Sequence, residues 1–554
     1  MSMEADVAVI GAGHAGFEAA MAAARLGLKV LVFALNLDSV GNMPCNPSIG
    51  GTAKGQIVRE IDALGGEMGR AADACGLQFR LLNRGKGPAV RSPRSQTDRR
   101  AYSDYVRQTL EKHPNILLLQ REIAGLFPLS DTLGTVYGAP AVVVATGTYL
   151  RGRTITGGTV RPGGPDGLQA ADSLSAALEN LGLKLRRFKT GTPPRLLRRS
   201  VDVSVMEEQP GERDAPPFSF ESAEVRNSEL CWLTWTNAET HELLRANLPR
   251  SPLYDGTIRG VGPRYCPSIE DKVVRFADKP RHPLFVEPMG ENSAEVYLQG
   301  FSSSMPFDVQ LAALRTVRGL ERAEIVRAAY AIEYDCLDPL RLTPALMVRD
   351  CPGLFAAGQI CGSSGYEEAA CQGLIAGINA ARFVRGKEPL ILDRASSYIG
   401  TLIDDLTTRG AEEPYRMMTS RSEYRMLLRH DNADRRLTPI GREAGLISDE
   451  RYDKFLKYEA KIAAGDASDP RAAYQLEIER IYSGYIRRQE QLWHRVEKME
   501  HKKIPEGFDY AAVSGMSREA AQKLTERRPL SLGQAGRISG VSPADITALM
   551  LNLR

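Results

Sequence analysis

Two cysteines stand out for their setting. Cys45 lies in residues 41–51, GNMPCNPSIGG, directly after Pro44 and two residues before Pro47. Cys266 lies in GPRYCPSIEDK, which begins at Gly262, directly before Pro267. Neither has a cysteine partner nearby in sequence. A thiolate is a strong nucleophile, and covalent addition splits a difficult substitution into easier steps. It must be accessible and close to positive charge, because free cysteine is mostly protonated at neutral pH. Lys54 follows Cys45, and Arg264 and Lys272 bracket Cys266. The prolines fix each sulfur in place, whereas a packing cysteine sits more often in a strand or helix, as expected for Cys231 and Cys371. For either cysteine alone, the competing reading is a loop thiol that only packs.

The remaining composition narrows the chemistry. The eight cysteines (45, 75, 231, 266, 336, 351, 361 and 371) form no CxxC and no zinc-like Cys/His spacing. No metal site is therefore expected, and the thiols read as reduced, in a cytoplasmic protein. The net charge of +3 argues neither for nor against nucleic acid, so any such contact must come from local patches. A chain of 554 residues exceeds one compact core, and about two to four domains are expected. No apolar run reaches the length of a membrane span. The first apolar stretch lacks a basic leader and reads as strand and helix, not as a signal peptide.

The elements that must position the cysteines begin at the N-terminus. Residues 4–10 read as a strand, 14–26 as an Ala-rich helix and 28–35 as a second strand, a βαβ unit. Between strand and helix stands GAGHAG: Gly11, Ala12, Gly13, His14, Ala15 and Gly16. In the GxGxxG frame the first glycine allows the tight turn, the second lets backbone approach a pyrophosphate, and the third lets helix and strand pack. The acidic ribose ligand expected after the second strand is replaced by Asn36, which can still hydrogen-bond a hydroxyl. VVVATG (142–147) and GLFAAGQ (353–359) resemble the downstream strand-turn elements of two-dinucleotide flavoproteins, with Gly358 and Gln359 where Gly-Asp is usual. This favours FAD over NAD in the first site. Glu367 and Glu368 read as ordinary helix-start acids. Residues 200–275 hold two of the three tryptophans and several prolines, and read as an inserted domain. From about Asp393 onward helical patterns dominate, with GDASDP (465–470) as a linker and Ser542-Pro543 as a helix start.

Long segments resemble one family. CNPSIGGTAKGQIVREIDALGGEMG, LQFRLLNRGKGPAVRSPRSQTD, KTGTPPR, GPRYCPSIEDKVVRF, AIEYDCLDP, GQICGSSGYEEAACQG and EPYRMMTSRSEYRMLLRHDNADRRLT are all similar to the GidA (MnmG) family of tRNA uridine 5-carboxymethylaminomethyl modification enzymes. The tail segments IPEGFDY and LGQAGRISGVSPADI fit the same family. The resemblance implies a homodimeric FAD flavoprotein that works with the GTPase MnmE, as a heterotetramer, on carbon 5 of the tRNA wobble uridine. It further implies NADH as reductant and methylenetetrahydrofolate as one-carbon donor. Gly262, Pro263, Arg264 and Tyr265 match the family's NAD-associated stretch, and flavin neighbours are implied near Ile123 and Ala171. Cys45 and Cys266 become catalytic candidates, one as nucleophile and the other as general acid/base or methylene carrier. The expected fold is α/β: a two-dinucleotide-binding core (1–199 and 276–392), an inserted domain (200–275), an Arg-rich helical region (393–465) and an all-α C-terminal domain (466–554). The alternative function is an FAD/NAD(P)H oxidoreductase acting on a small molecule, which would need no RNA-binding surface.

Two segments are locally basic. Residues 80–107 carry Arg80, Arg84, Lys86, Arg91, Arg94, Arg99, Arg100 and Arg107 against Asp98 and Asp104. Farther on, Arg421, Arg425 and Arg429 recur at every fourth residue, followed by Arg435 and Arg436. On a helix the first three would share one face, beside Tyr415 and Tyr424, suited to phosphates and unstacked bases. The competing reading is a solvated charged face.

Overall fold

The computed structural model describes residues 3–265 and 267–553. The strand before GAGHAG is Val7–Ile10, the helix after it His14–Arg25, and the next strand Val30–Ala34. They belong to a five-stranded sheet ordered Leu354–Ala356, Ala141–Val144, Val7–Ile10, Val30–Ala34, Ile116–Gln120. Every neighbouring pair is parallel. Parallel strands need crossover connections and are covered on both faces. That explains the unbroken apolar runs VAVI, VLVFA and AVVV, all buried. The helix His14–Arg25 packs directly on Tyr366–Val384. A Cβ on Gly373 would lie 2.0 Å from the Ala15 carbonyl oxygen, and one on Gly377 2.4 Å from that of Ala19. Small residues on both helices let the backbones touch, which locks the two glycine turns into one body.

Two antiparallel sheets follow. Tyr330–Leu337 pairs with Leu185–Thr192 and Arg153–Thr156. A six-stranded sheet runs Glu207–Gln209, Cys231–Trp235, Pro283–Pro288, Glu295–Gln299, Arg195–Leu197, Ile325–Arg327. It buries its own apolar cluster, including Leu196, Leu284, Val286, Val296, Leu298 and Phe301. This second core therefore extends on both sides of the 200–275 stretch that composition marks out. The C-terminal part is helical. Asp469 caps the 32-residue helix Pro470–His501 through the Arg471 and Ala472 amides. Ser542 opens Pro543–Asn552 with a capping box, Ser542 and Asp545 bonding each other's backbone N–H. The last three helices close over Leu524, Leu532 and Leu549. Among the described residues, no helix is long and apolar enough to cross a membrane.

Candidate active site

The GAGHAG turn forms the floor of a cleft of about 1080 Å³. Gly11 has φ +106°, and a Cβ there would lie 2.3 Å from the Ala145 carbonyl oxygen. A Cβ on Gly16 would lie 1.7 Å from the Gly11 carbonyl oxygen. Gly13 differs: a Cβ there would meet nothing within 4 Å. Gly11 and Gly16 are thus required by the fold itself, while Gly13 keeps the space above the helix N-terminus open. His14 and Thr146 line the cleft, and His14 Nε2 and Thr146 Oγ1 are buried with no hydrogen-bond partner among the described residues. Burial pulls His14 down to about 4, so its imidazole is neutral at physiological pH. Open space over an N-terminal turn and two unsatisfied polar atoms fit a dinucleotide. Gln359 also lines this cleft, its amide held by Tyr334 Oη at 3.1 Å, and so do Ile123 and Ala171.

Asn36 departs from expectation. Its Oδ1 accepts the Asp38 N–H at 2.7 Å and caps the short turn Leu37–Ser39. The residues facing the cleft at this end are Ala34, Leu35 and Ser39, together with Arg121 and Glu122 from the neighbouring strand's end. Asn36 Oδ1 is used as a turn cap, and Asn36 is not among the residues that line the cleft. Arg121 and Glu122 gave no sequence signal, because only the parallel sheet brings them there.

A second cleft of about 1650 Å³ adjoins the first, and the two share Pro44, Thr148, Pro165, Gln359, Gly365 and Tyr366. Cys45 is half-buried in its wall, with Asn46, Arg94, Tyr297 and Gln299 around it. The Cys45 N–H donates to Tyr366 Oη at 2.9 Å, and Cys45 Sγ lies 3.1 Å from Tyr297 Oη. One row of the six-stranded sheet builds this wall. Tyr297 stands opposite Arg195 on one neighbouring strand and opposite Glu287 on the other. Directly opposed residues share a face of a sheet, and these three grip three consecutive loop residues. Arg195 donates to the Pro44 carbonyl, Tyr297 meets the Cys45 sulfur, and Glu287 accepts from Asn46 Nδ2 at 2.6 Å. Glu287 also holds Arg94 at 2.7 Å.

Lys54 lines the same cleft, but its charge is already matched. Its Nζ lies 2.8 Å from Glu367 Oε2 and 3.0 Å from Glu368 Oε2. Those acids are more than helix-start decoration: Glu367 also accepts the Gly50 N–H at 2.7 Å and Glu368 the Met417 N–H at 3.1 Å. Both are buried; Glu367 pins the cysteine loop to the long helix, and Glu368 pins Lys54 and the Met417 backbone to it. Cys231 and Cys371 lie in a strand and a helix and are buried. Burial pushes Cys231 up to about 12 and Cys371 well above the ordinary thiol range.

The segment with the second cysteine reaches this cleft as well. Tyr265 and Pro267 line it, as does Lys272. Tyr265 is 52% exposed and Arg264 is exposed, while Pro263 is buried and Gly262 packs against the Lys189 side chain. Cys266 itself lies outside the described residues.

The arginine row does not form a helix. Residues 422–432 are turns and bends. The Arg421 carbonyl, which a helix would offer to residue 425, accepts instead from the Arg394 guanidinium at 3.0 Å. The Met426 N–H is taken by Gln489 Oε1 at 2.8 Å. Arg421 stacks over Tyr415 at 4.1 Å, and Arg425 is exposed. Arg429 is buried against Asp431 and Gln475. Arg435 pairs with Glu459 and Glu479, and Arg436 with Glu60. Of the five, Arg425 is exposed and Arg421, stacked on buried Tyr415, also donates through Nε to the Arg416 carbonyl at 3.0 Å, whereas Arg429 and Arg435 tie the helical region together and Arg436 ties it to Glu60. In the 80–107 stretch Arg84, Arg94 and Arg99 are likewise paired with acids.

The family model described as glucose inhibited division protein A matches residues 6–388. That for the tRNA modifying enzyme MnmG/GidA C-terminal helical bundle matches residues 493–554. The tRNA uridine 5-carboxymethylaminomethyl modification enzyme MnmG of Caldicellulosiruptor saccharolyticus is 53% identical, over 99% of this chain and 97% of that protein. Its Bacillus subtilis counterpart is 50% identical over the same shares. The solved structure of Aquifex aeolicus GidA in its form I crystal superposes with a TM-score of 0.95, at 44% identity over 100% of both chains.

Proposed function

The chain belongs to the glucose inhibited division protein A (GidA) family, and we propose that it is an FAD-dependent enzyme that modifies carbon 5 of the wobble uridine of tRNA. The observation that carries this reading is the meeting of the two clefts at Pro44, Thr148, Pro165, Gln359, Gly365 and Tyr366, with Cys45 on the wall just beyond. The turn at residues 11–16, with His14, Thr146 and Gln359, would hold FAD, which supplies redox chemistry when bound. Gly262, Pro263, Arg264 and Tyr265, of which Tyr265 lines the second cleft, are the proposed NADH contacts. Ile123 and Ala171 are proposed flavin neighbours. Arg421 and Arg425 are the proposed tRNA contacts that remain after Arg429, Arg435 and Arg436 are assigned to the fold.

The residue chemistry follows from the substrate. Carbon 5 of uracil is a poor nucleophile until a group adds to carbon 6. A cysteine sulfur that bonds carbon 6 pushes the C5–C6 π electrons toward carbon 5 and the C4 carbonyl. Carbon 5 then attacks the carbon of an iminium formed from the one-carbon unit and the ammonium or glycine amine, whose C=N electron pair moves to nitrogen. Loss of the carbon 5 proton restores the double bond and expels the sulfur. Cys45 and Cys266 divide the nucleophile and acid/base or methylene-carrier roles. Methylenetetrahydrofolate as one-carbon donor, the GTPase MnmE as partner in a heterotetramer, a homodimeric state and a cytoplasmic location are part of the same proposal, supported by family membership.

The test is reconstitution. Unmodified tRNA is incubated with this protein, MnmE, GTP, NADH, methylenetetrahydrofolate and ammonium or glycine. Nucleoside mass spectrometry should find aminomethyl or carboxymethylaminomethyl uridine. A fully FAD-loaded protein that leaves the tRNA unmodified with every component present would refute the proposal.

A further inference from the structure

Arg195 is a fully buried cation beside the reactive loop. Its guanidinium donates to Thr192 Oγ1 at 2.7 Å, to the Pro193 carbonyl at 2.8 Å and to the Pro44 carbonyl, and among the described residues its Nε has no partner. None of these groups is an anion. A buried charge without a counter-charge is strongly unfavourable. Among the groups that act on its charge are Tyr297, Tyr330, Asp166 and Cys45. Asp166 is already paired with Arg99 and Arg327. Burial pushes Tyr330 up to about 12, so it stays neutral. Burial likewise raises Tyr366, which bonds the Cys45 N–H, and Lys54 is matched by Glu367 and Glu368. The Tyr297 ring lies beneath the guanidinium at 5.4 Å, and its hydroxyl reaches Cys45 Sγ at 3.1 Å. Full burial also keeps Arg195 from touching a substrate phosphate, so its partner must be part of the protein.

We infer that Tyr297 and Arg195 are positioning residues for the reaction at Cys45: the Tyr297 hydroxyl donates to the sulfur, and the buried guanidinium behind it balances the negative charge the sulfur bears when it attacks. This rests on the reading of Cys45 as a reactive thiol. The cross-strand pairing of Arg195 with Tyr297 fixes both against the cysteine loop in one register. The same row fixes Asn46 through Glu287, so the sulfur is aimed as well as stabilised.

The FAD-loaded protein tests the inference through the thiol itself. Alkylation of Cys45 by iodoacetamide is followed across pH by peptide mass spectrometry in the parent, Tyr297→Phe, Arg195→Met and Arg195→Lys. Tyr297→Phe keeps the ring under the guanidinium and removes only the donor. It should slow alkylation at neutral pH about tenfold and move the profile to higher pH, with the flavin absorbance unchanged. Arg195→Met should move the profile the same way, and Arg195→Lys should recover part of the rate. A Tyr297→Phe profile that overlays the parent would overturn the inference, and that variant decides the matter even where Arg195→Met fails to fold. Failure of the functional reading looks different: Cys45→Ser would still modify tRNA, while the alkylation contrast would stand.

Discussion

Alanine at Gly13 and at Gly16 should separate cofactor binding from folding within one turn. Gly13 has φ −78° and ψ −167°, a conformation any residue adopts, and a Cβ there meets nothing within 4 Å. Gly13→Ala should therefore leave the stability of the cofactor-free protein within about 0.5 kcal/mol of the parent. The added methyl occupies the space through which a pyrophosphate reaches the helix N-terminus. FAD affinity should fall at least tenfold, about 1.4 kcal/mol, and Gly13→Glu should abolish binding. Gly16 is the opposite case. Its Cβ would lie 1.7 Å from the Gly11 carbonyl oxygen, so helix and strand must part. Gly16→Ala should cost the cofactor-free fold about 1–3 kcal/mol or more. Flavin content after desalting, FAD titration of the apoprotein and thermal unfolding of the apoprotein measure the two effects separately. A Gly13→Ala protein with parental FAD affinity, or a Gly16→Ala apoprotein as stable as the parent, would refute the reasoning.

Three further outcomes follow from the same geometry. Burial holds His430 at about 4, against about 6.5 when unfolded, so the unfolded chain gains this proton first as pH falls. The resulting stability is complete above about pH 6.5 and is lost toward pH 4, by up to about 3 kcal/mol; His430→Phe should flatten the slope of denaturant-derived stability in that window, and an unchanged slope would exclude this histidine. Arg429→Glu sets a carboxylate against buried Asp431 and should destabilise the fold by about 3–5 kcal/mol, whereas Arg421→Glu with Arg425→Glu should leave melting near parental, weaken tRNA binding and lower its salt slope by up to about 2. An Arg429→Glu protein of parental stability would contradict the assignment of Arg429 to the fold, and an unchanged salt slope in the double variant would place the RNA elsewhere. Cys45→Ser should keep FAD and tRNA binding yet lose modification, and near-parental turnover would remove Cys45 from the chemistry.

What the sequence disclosed tracks how local each device is. GAGHAG, its flanking strands and helix, and the Ser542-Pro543 helix start are written in neighbouring residues, and the structure has them in place. Cys45 was legible as a residue held in a rigid loop, but its surroundings were not. Tyr297 is 252 residues away from it, and Arg195 and Glu287 join the same wall only through cross-strand pairing. Lys54 was the nearest cation in sequence, yet two buried glutamates match it and a more distant arginine stands behind the sulfur. The four-residue arginine spacing suggested a helix face because propensity and period are local. Tertiary hydrogen bonds from Arg394 and Gln489 took the backbone groups that such a helix would have used. Asn36 has a local use that the motif did not announce, the cap of its own turn.

The measurement that bears most directly on the account is nucleoside mass spectrometry of tRNA from cells in which this gene is deleted and then restored as the parent or as Cys45→Ser. The account predicts that carbon 5 modification of the wobble uridine is absent in the deletion, returns with the parent, and stays absent with Cys45→Ser even though that protein accumulates with bound FAD. Wobble uridines modified to the parental level in the deletion strain would contradict it.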